Sequence, residues 1–271
     1  MPDFETILYE ERNNVAWVTL NRPDVLHAFN VKMQDEISSV WQDIMRNDDV
    51  HCAVLTATGE KAFCVGLDRD TMGKGPEPTP KRPAWYTTPW WYNDPGSLLG
   101  PKANHLWKPV IAAVNGMCCG GAFYLLGEVD FVIAAEHATF FDPHVTYAMT
   151  SAYEPIHLLQ KMPLQEVLRL ALLGGHERMS ARRAYEVGLV SQVVPKEELM
   201  EAATWAAEAI ASAPPLVIQG TQRAIWMARE VPRAQALDLG YLYTNVGTDT
   251  GMQLENQKEF AAGRRVEWRL R

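Results

Sequence analysis

The chain is poor in cysteine and lacks the cysteine spacings that are typical of structural sites. Its 271 residues include only four cysteines: Cys52, Cys64, Cys118 and Cys119. None of them forms a Cys-x-x-Cys pair, and the neighbours Cys118 and Cys119 cannot easily join each other. This pattern excludes a small disulfide-stapled domain and a cysteine zinc site. We therefore expect reduced, buried thiols in a cytoplasmic protein that holds no metal.

Basic residues are also fewer than acidic ones. There are 25 basic against 33 acidic residues, which gives a net charge of -8. This balance argues against a nucleic-acid-binding surface. The first eleven residues, MPDFETILYEE, are acidic and polar, so we expect no secretory signal peptide there. With 47% hydrophobic residues, the chain has the composition of a soluble metabolic enzyme with a large core.

A single stretch without charge is long enough to suggest a membrane span. Residues 109–127 contain no charged side chain over 19 positions. However, Pro109, Asn115 and several glycines interrupt the stretch, and these residues punctuate soluble strands and turns. We therefore predict no membrane segment.

The same stretch predicts a strand, a turn and a helix. Residues 110–114 are continuously apolar and indicate a short buried strand. Asn115 and Gly116 turn the chain, and Gly120 and Gly121 open a helix. Glycine lets a ligand approach the backbone closely, and free N–H groups at a helix start can hold an oxygen that gains negative charge. A tight turn without a ligand is the alternative.

A second segment of this kind lies upstream, where the apolar residues 52–58 precede Gly59 and Gly66. At this point the sequence resembles the crotonase superfamily, also called the enoyl-CoA hydratase/isomerase family. Five blocks carry the resemblance in the family's order: VAWVTLNRP (15–23), AVLTATGEKAFCVGLD (53–68), KPVIAAVNG (108–116), ATFFDPH (138–144) and LLGG with SARRAYEVGLVSQVVP (172–175 and 180–195).

The resemblance implies an α/β crotonase fold, in which repeated ββα units form a spiral core. By position, the backbone N–H groups of Leu67 and Gly121 would form the family's oxyanion hole. They would polarise the carbonyl of a coenzyme A thioester and stabilise the enolate formed from it. Coenzyme A would then enter as part of the substrate, with no separate cofactor.

The chain departs from the hydratase pattern at both acid–base positions. Hydratases of the family have one glutamate shortly after the second oxyanion glycine and another after the proline of the ATF block. Here these positions hold Tyr124 and His144. Because general acid–base groups contribute about 100- to 10,000-fold each, the usual proton-transfer mechanism is not expected.

His144 is the first candidate for a replacement, since an imidazole titrates near neutral pH and can act as base or acid. The alternative is a histidine that fills the old pocket and bonds to the backbone. Asp142 is expected on the opposite face of an extended segment, solvated or structural. Downstream, Glu154 is a candidate partner for His144, although Pro155 also allows a plain helix start.

Aromatic residues supply the other pocket candidates. Tyr124 lies one helical turn beyond Gly121 and either donates a hydrogen bond to the acyl group or fills apolar volume. Tyr153 is a second candidate. Between residues 71 and 104 the chain is rich in proline, glycine and aromatics, including Trp85 and Trp90. We interpret this long segment as a lid or pocket wall that selects a bulky, cyclic or aromatic acyl group. An aromatic satellite core or a subunit contact is the alternative.

From Leu199 onward the pattern becomes helical, with a third helix expected near residues 234–246. We therefore divide the chain into a core, residues 1–198, and a C-terminal helical region, residues 199–271. In the family such helices pack protomers into trimers and dimers of trimers, and a basic residue near the end reaches the phosphates of coenzyme A. Lys258 is the closest match.

Three functions fit these residues. The first is an enoyl-CoA hydratase or isomerase that uses His144 in place of a glutamate. The second is a carbon–carbon bond hydrolase, because a histidine after the proline resembles the branch of the superfamily that cleaves β-diketones with water. The third is an acyl-CoA-binding protein without catalysis. The three functions differ in their outcome: the first hydrates an enoyl-CoA, the second cleaves its substrate into a hydrolysed product, and the third binds without turnover.

Overall fold

Strands and helices alternate along the part of the chain that the structure describes. The computed structural model covers residues 4–69, 86–88, 91–92, 94 and 96–270. Its strands are β1 (Ile7–Arg12), β2 (Val15–Leu20), β3 (Cys52–Ala57), β4 (Ala62–Cys64), β5 (Tyr86–Thr88), β6 (Trp91–Tyr92), β7 (Val110–Val114), β8 (Met117–Cys119), β9 (Phe131–Ala135), β10 (Thr139–Phe141), β11 (Met179–Ser180) and β12 (Gln192–Val194). Its helices are α1 (Val31–Arg46), α2 (Ala122–Glu128), α3 (Tyr153–Leu158), α4 (Leu164–Leu173), α5 (Ala181–Glu186), α6 (Leu199–Ala211), α7 (Pro215–Glu230), α8 (Arg233–Gly247) and α9 (Thr250–Ala261).

Two sheets form the centre of the molecule. The larger has the strand order β1-β2-β3-β7-β9-β12, and all its neighbouring pairs are parallel except β1 with β2. The smaller has the order β11-β10-β8-β4. Each of β3, β7 and β9 lies in the larger sheet, and the strand that follows it lies in the smaller one. The α/β class and the predicted repetition of strand pairs are therefore confirmed.

The side chains of β7 explain why this strand is apolar throughout. Val110, Ala112 and Val114 face the larger hydrophobic cluster, which includes side chains of α1 and α2. The alternate residues Ile111 and Ala113 face a second cluster that is closed by α6. Because successive side chains of a strand point to opposite faces, a strand that is covered on both sides needs apolar residues at every position.

The predicted strand over residues 110–114 matches β7, and α2 starts directly after Gly121 as expected. Strand β8 was not predicted, because its three residues carry no periodic signal and it is defined by pairing with β4 and β10. The uncharged stretch 109–127 thus consists of β7, β8 and α2. Among the described residues, no helix is long and apolar enough to cross a membrane.

The C-terminal helices follow the predicted order, with α8 close to the expected third helix. Helix α6 packs on the larger sheet, so the first helix after residue 198 covers the core. Helices α7 and α8 pack against each other, and the chain then forms α9, which was not predicted. The division into residues 1–198 and 199–271 stays a prediction.

Asp130 anchors α7 to the sheet. One carboxylate oxygen accepts hydrogen bonds from Gln222 Nε2 at 2.7 Å and from the Val110 N–H at 2.7 Å, and it lies 3.2 Å from Lys102 Nζ. The other oxygen accepts from Trp226 Nε1 at 2.7 Å. One carboxylate therefore satisfies donors from the sheet, from the segment before it and from α7.

We expect Asp130→Ala to lower the free energy of unfolding by about 3–5 kcal/mol, the cost typical of removing one partner of a buried ion pair. The Lys102 side chain is only 9% exposed, and it would be left without its carboxylate. Chemical denaturation followed by circular dichroism measures the loss. Asp238→Ala on the exposed side of α8 is the control, and equal stability of the two variants would contradict the prediction.

Candidate active site

Two glycine-containing turns meet at the edge of the smaller sheet. Gly66 follows β4 with φ +85°, and its carbonyl accepts a hydrogen bond from the Phe29 N–H at 2.8 Å. A Cβ atom placed on Gly66 would lie 2.8 Å from the backbone nitrogen of Gly121. Only glycine fits at position 66, because both the φ angle and the contact exclude a side chain. Within the described residues, neither the Leu67 N–H nor the Gly121 N–H donates a hydrogen bond to another group.

A buried carboxylate orients His144. Asp142 is fully buried, and one of its oxygens hydrogen-bonds to His144 Nδ1 and accepts from the His144 N–H at 3.2 Å. Its other oxygen accepts a hydrogen bond from the Ser151 hydroxyl. The prediction that Asp142 faces away from His144 is wrong. Residues two apart share one face even in an extended strand, so the alternation behind that prediction was miscounted. In the structure the chain turns at Pro143 into a short 3-10 helix, His144–Tyr147, and the two side chains meet.

The His144 ring lies beside the glycine turns. A Cβ atom on Gly120 would lie 3.4 Å from His144 Cε1, so the imidazole packs on the backbone directly before Gly121. On its other side, His144 Nε2 is 3.6 Å from Glu154 Oε1, and Glu154 is buried at the start of α3. The structure thus brings together His144 and Glu154, which the sequence had proposed as partners. Their catalytic roles stay predictions.

The three ionisable groups influence one another's pKa values. Burial alone would raise the pKa of Asp142, but the hydrogen bonds from His144 and Ser151 outweigh it and lower that pKa. The hydrogen bond to Asp142 raises the pKa of His144, and the charge of Glu154 adds to this effect, while burial opposes it. Burial raises the pKa of Glu154, although nearby His144 partly offsets this. Asp142 therefore stays ionised, while the pKa values of both His144 and Glu154 are raised.

We expect Asp142→Asn to lower the pKa of His144, because the amide keeps a hydrogen-bond acceptor but removes the negative charge. In the wild type the raised pKa means that protonated His144 stabilises the folded state. This contribution is complete below the unfolded-state pKa and is lost as the pH rises through the folded-state pKa. An NMR titration of the histidine rings, with the exposed Glu201→Gln as control, measures the shift. An unchanged His144 pKa in Asp142→Asn would contradict the prediction.

Asp142, His144 and Glu154 also form the kind of group that can hold a metal, since their potential ligand atoms lie within 4.8 Å of one another. However, both oxygens of Asp142 already accept hydrogen bonds, from His144 and Ser151. Only His144 Nε2 and the Glu154 carboxylate remain as ligands, fewer than the three or four protein ligands of typical sites. The arrangement suits proton transfer better than metal binding.

Tyr124 is buried on α2, close to the glycine turn. Its hydroxyl donates a hydrogen bond to Asp94 Oδ1 at 2.6 Å. Its ring stacks against Tyr153 at 6.4 Å and meets the edge of His157 at 5.4 Å. Tyr153 itself is 42% exposed. The structure therefore brings Tyr124 and Tyr153 together next to Glu154, and their predicted substrate contacts stay predictions.

Three predicted site residues remain. Trp85 and Trp90 are outside the described residues, and Lys258 is exposed on α9. Sequence reasoning missed Asp94 and Ser151 and misplaced Asp142. The Asp-Pro-His order was a usable signal for Asp142, since aspartate often accepts the N–H two residues later in such a turn. Nothing in the sequence marks Asp94 or Ser151, because their partners are distant along the chain.

Comparisons with known proteins identify the family of this chain. The sequence profile of the enoyl-CoA hydratase/isomerase family matches residues 10–268. The chain is 34% identical to (E)-benzylidenesuccinyl-CoA hydratase of Thauera aromatica, over 97% of this chain and 98% of the relative. A crystal structure of an enoyl-CoA hydratase/isomerase from Mycobacterium paratuberculosis superposes with a TM-score of 0.84 at 35% identity, covering 99% of both chains. An enoyl-CoA hydratase structure from Bacillus anthracis gives 0.82 at 27% identity, covering 96% and 97%. This chain therefore belongs to the enoyl-CoA hydratase/isomerase family of the crotonase superfamily.

Proposed function

We propose that this protein is an enoyl-CoA hydratase-type lyase that uses His144 where its relatives use a glutamate. In this proposal the N–H groups of Leu67 and Gly121 bind the thioester oxygen and stabilise the enolate. The contact between the Gly66 and Gly121 turns supports this role, because the two donors stand on adjoining segments without other described partners. Such preorganised donors cost no reorganisation when charge develops.

The observation that carries the proposal is the position of His144 between Asp142, Glu154 and the Gly120 backbone. Asp142 keeps the proton on Nδ1, which leaves the Nε2 lone pair toward Glu154. Both atoms, 3.6 Å apart, can face one water molecule that lies beside them. His144 then takes a proton from water as hydroxide adds to the β-carbon, and the His144–Glu154 pair returns a proton to the α-carbon. The two steps together add one water across the double bond.

The acyl group is proposed to be bulky and aromatic. The aromatic segment with Trp85 and Trp90 motivated this idea, although it lies outside the described residues. A relative at 34% identity is named for (E)-benzylidenesuccinyl-CoA, whose acyl group carries a phenyl ring. We accordingly propose aryl-substituted enoyl-CoA thioesters as the substrate class, with neither a metal nor a separate cofactor.

We further propose a cytoplasmic homotrimer, or a dimer of trimers, in which Lys258 contacts the phosphates of coenzyme A. Large apolar side chains on α8 and α9 support an assembly. Tyr241 is 71% exposed, Val246 77% and Phe260 62%. Exposed apolar surface of this extent usually marks a contact with another protein chain.

The oriented histidine also favours a second candidate, hydrolytic cleavage of a carbon–carbon bond in a cyclic β-dicarbonyl or its coenzyme A ester. A histidine held by a buried carboxylate is suited to activating water for attack on a carbonyl. Hydroxide would add to the β-carbonyl carbon, and the bond to the α-carbon would break. Its electron pair would form the enolate, which then takes up the proton removed from water.

The test is mass spectrometry of cinnamoyl-CoA, crotonyl-CoA and a cyclic β-ketoacyl-CoA incubated with the purified protein. Gain of one water by an enoyl-CoA, with the hydroxyacyl-CoA product converted back to enoyl-CoA by the same protein, supports the hydratase. Conversion of only the cyclic substrate to a ring-opened acid supports the hydrolase and overturns the first proposal. Saturable binding with every substrate unchanged overturns both and indicates an acyl-CoA-binding protein.

A further inference from the structure

Ser151 makes a hydrogen bond to the carboxylate that orients His144. Its hydroxyl donates to one oxygen of Asp142, while the other oxygen bonds to His144 Nδ1 and to the His144 N–H. Within the described residues, no lysine or arginine pairs with Asp142, so Ser151 is its only hydrogen-bond donor besides His144. This fully buried carboxylate thus depends on one hydroxyl for the stabilisation that His144 does not supply.

The backbone between His144 and Ser151 brings the hydroxyl back to Asp142. The short 3-10 helix that starts at His144 ends at Ala148, whose positive φ of +57° turns the chain. The Met149 N–H then donates to the His144 carbonyl at 3.0 Å. Because backbone hydrogen bonds close this turn, its shape does not depend on the Ser151 hydroxyl. A variant at position 151 is therefore expected to keep the turn.

Ser151 also stands close to the start of the helix that carries Glu154. Helix α3 begins two residues later, and the buried Glu154 lies in its first turn. His144 Nε2 is 3.6 Å from Glu154 Oε1. The hydrogen bond between Ser151 and Asp142 therefore ties the start of α3 to the carboxylate on the other side of the imidazole. This one contact helps to fix both neighbours of the ring, Asp142 at Nδ1 and Glu154 near Nε2.

We propose that Ser151 is a positioning residue that acts through Asp142 and holds the His144 imidazole in one tautomer and one orientation. The consequence for catalysis rests on the proposed function, in which His144 Nε2 takes a proton from water. Without the hydroxyl, one Asp142 oxygen would be buried and would lack a donor, which is costly. The carboxylate can reduce this cost by rotating, so that either oxygen faces the ring, and His144 Nδ1 is then no longer held by one fixed acceptor.

Variants of the full-length protein test this inference. Ser151→Ala removes the hydroxyl, Ser151→Thr keeps it, and Thr150→Ala is the matched control at the exposed neighbouring position. Asp142→Asn and the double variant Asp142→Asn/Ser151→Ala show whether Ser151 acts through Asp142. The kcat and KM for cinnamoyl-CoA hydration are measured for each protein. The nitrogen NMR shifts of the neutral His144 ring are measured as well, because they report which nitrogen carries the proton.

We expect Ser151→Ala to lower kcat about 10- to 100-fold with KM nearly unchanged, because a hydrogen bond to a charged group contributes about this much to an equilibrium. In the same variant the two nitrogen shifts should move toward each other, as a mixture of tautomers replaces the form protonated on Nδ1. Ser151→Thr should restore both properties, and Thr150→Ala should match the wild type. The double variant should be no slower than Asp142→Asn, because residues that act as a unit are not additive.

Three results would overturn the inference alone. They are wild-type kcat or unchanged nitrogen shifts in Ser151→Ala, failure of Ser151→Thr to restore these properties, and losses that multiply in the double variant. A wild-type protein that hydrates no enoyl-CoA would instead overturn the proposed function. The nitrogen shifts would then still decide whether Ser151 orients His144.

Discussion

Replacing His144 with glutamine is expected to slow turnover of an enoyl-CoA by about 100- to 10,000-fold, the range of a lost general acid–base group. Glutamine has a similar length and can still bond to Asp142, but its amide does not accept a proton near neutral pH. The α3 carboxylate of Glu154 would then face a group with which it cannot exchange a proton. Initial rates of hydration, measured by the loss of enoyl absorbance, give the effect.

His176→Gln is the matched control, because His176 is exposed and lies outside the site. It should retain the wild-type rate. The circular dichroism spectra and the substrate affinities of both variants should be close to those of the wild type. A lower rate then reports a loss of catalysis and not a loss of folding. A fully active His144→Gln protein would show that another group moves the proton, and the mechanism proposed here would be wrong.

Gly66→Ala is expected to lower the rate by about 100- to 1000-fold, the usual cost of losing one oxyanion-hole donor. The new methyl group would lie 2.8 Å from the Gly121 nitrogen and 3.1 Å from the Cys119 carbonyl oxygen. Both are backbone atoms and cannot rotate away, so the two turns must separate. The Leu67 and Gly121 N–H groups would then no longer converge on one oxygen.

A variant at a second glycine is the control that distinguishes the loss of an oxyanion-hole donor from simple backbone strain. Gly59 has φ +72°, close to the +85° of Gly66, but a Cβ atom there meets nothing within 4 Å. Gly59→Ala therefore carries a similar conformational penalty, about 1–2 kcal/mol, without a contact at the site. It should lose stability and keep its rate. Equal activity of the two variants would contradict the oxyanion-hole assignment.

Local sequence signals predicted the elements next to the proposed oxyanion hole. The apolar run of residues 110–114 became β7, and the glycines at 120 and 121 lead directly into α2. These predictions succeeded because burial on both faces and glycine turns leave a signal within a few residues. The short strand β8 and the final helix α9 were missed. The first depends on pairing with distant strands, and the second has no strongly apolar face in its sequence.

The environment of His144 was harder to predict. Its partner Glu154 was proposed from position, but Asp142 was assigned to the wrong face, because residues two apart share a face in an extended strand. In the structure the chain turns at Pro143, and the carboxylate hydrogen-bonds to the imidazole ring. Asp94 was not considered, since its contact with Tyr124 spans 30 residues and depends on how the chain returns over α2.

By itself, the sequence determined the class of fold and the glycine turns, and it has Tyr124 and His144 where the resemblance leads us to expect glutamates. These features depend only on residue types and on short spacings along the chain. Only the tertiary structure decided which carboxylates reach those two positions: Asp142 and Glu154 at His144, and Asp94 at Tyr124. The reason is physical, since the pKa and orientation of a buried group depend on neighbours brought together by packing, and these neighbours are far apart along the chain.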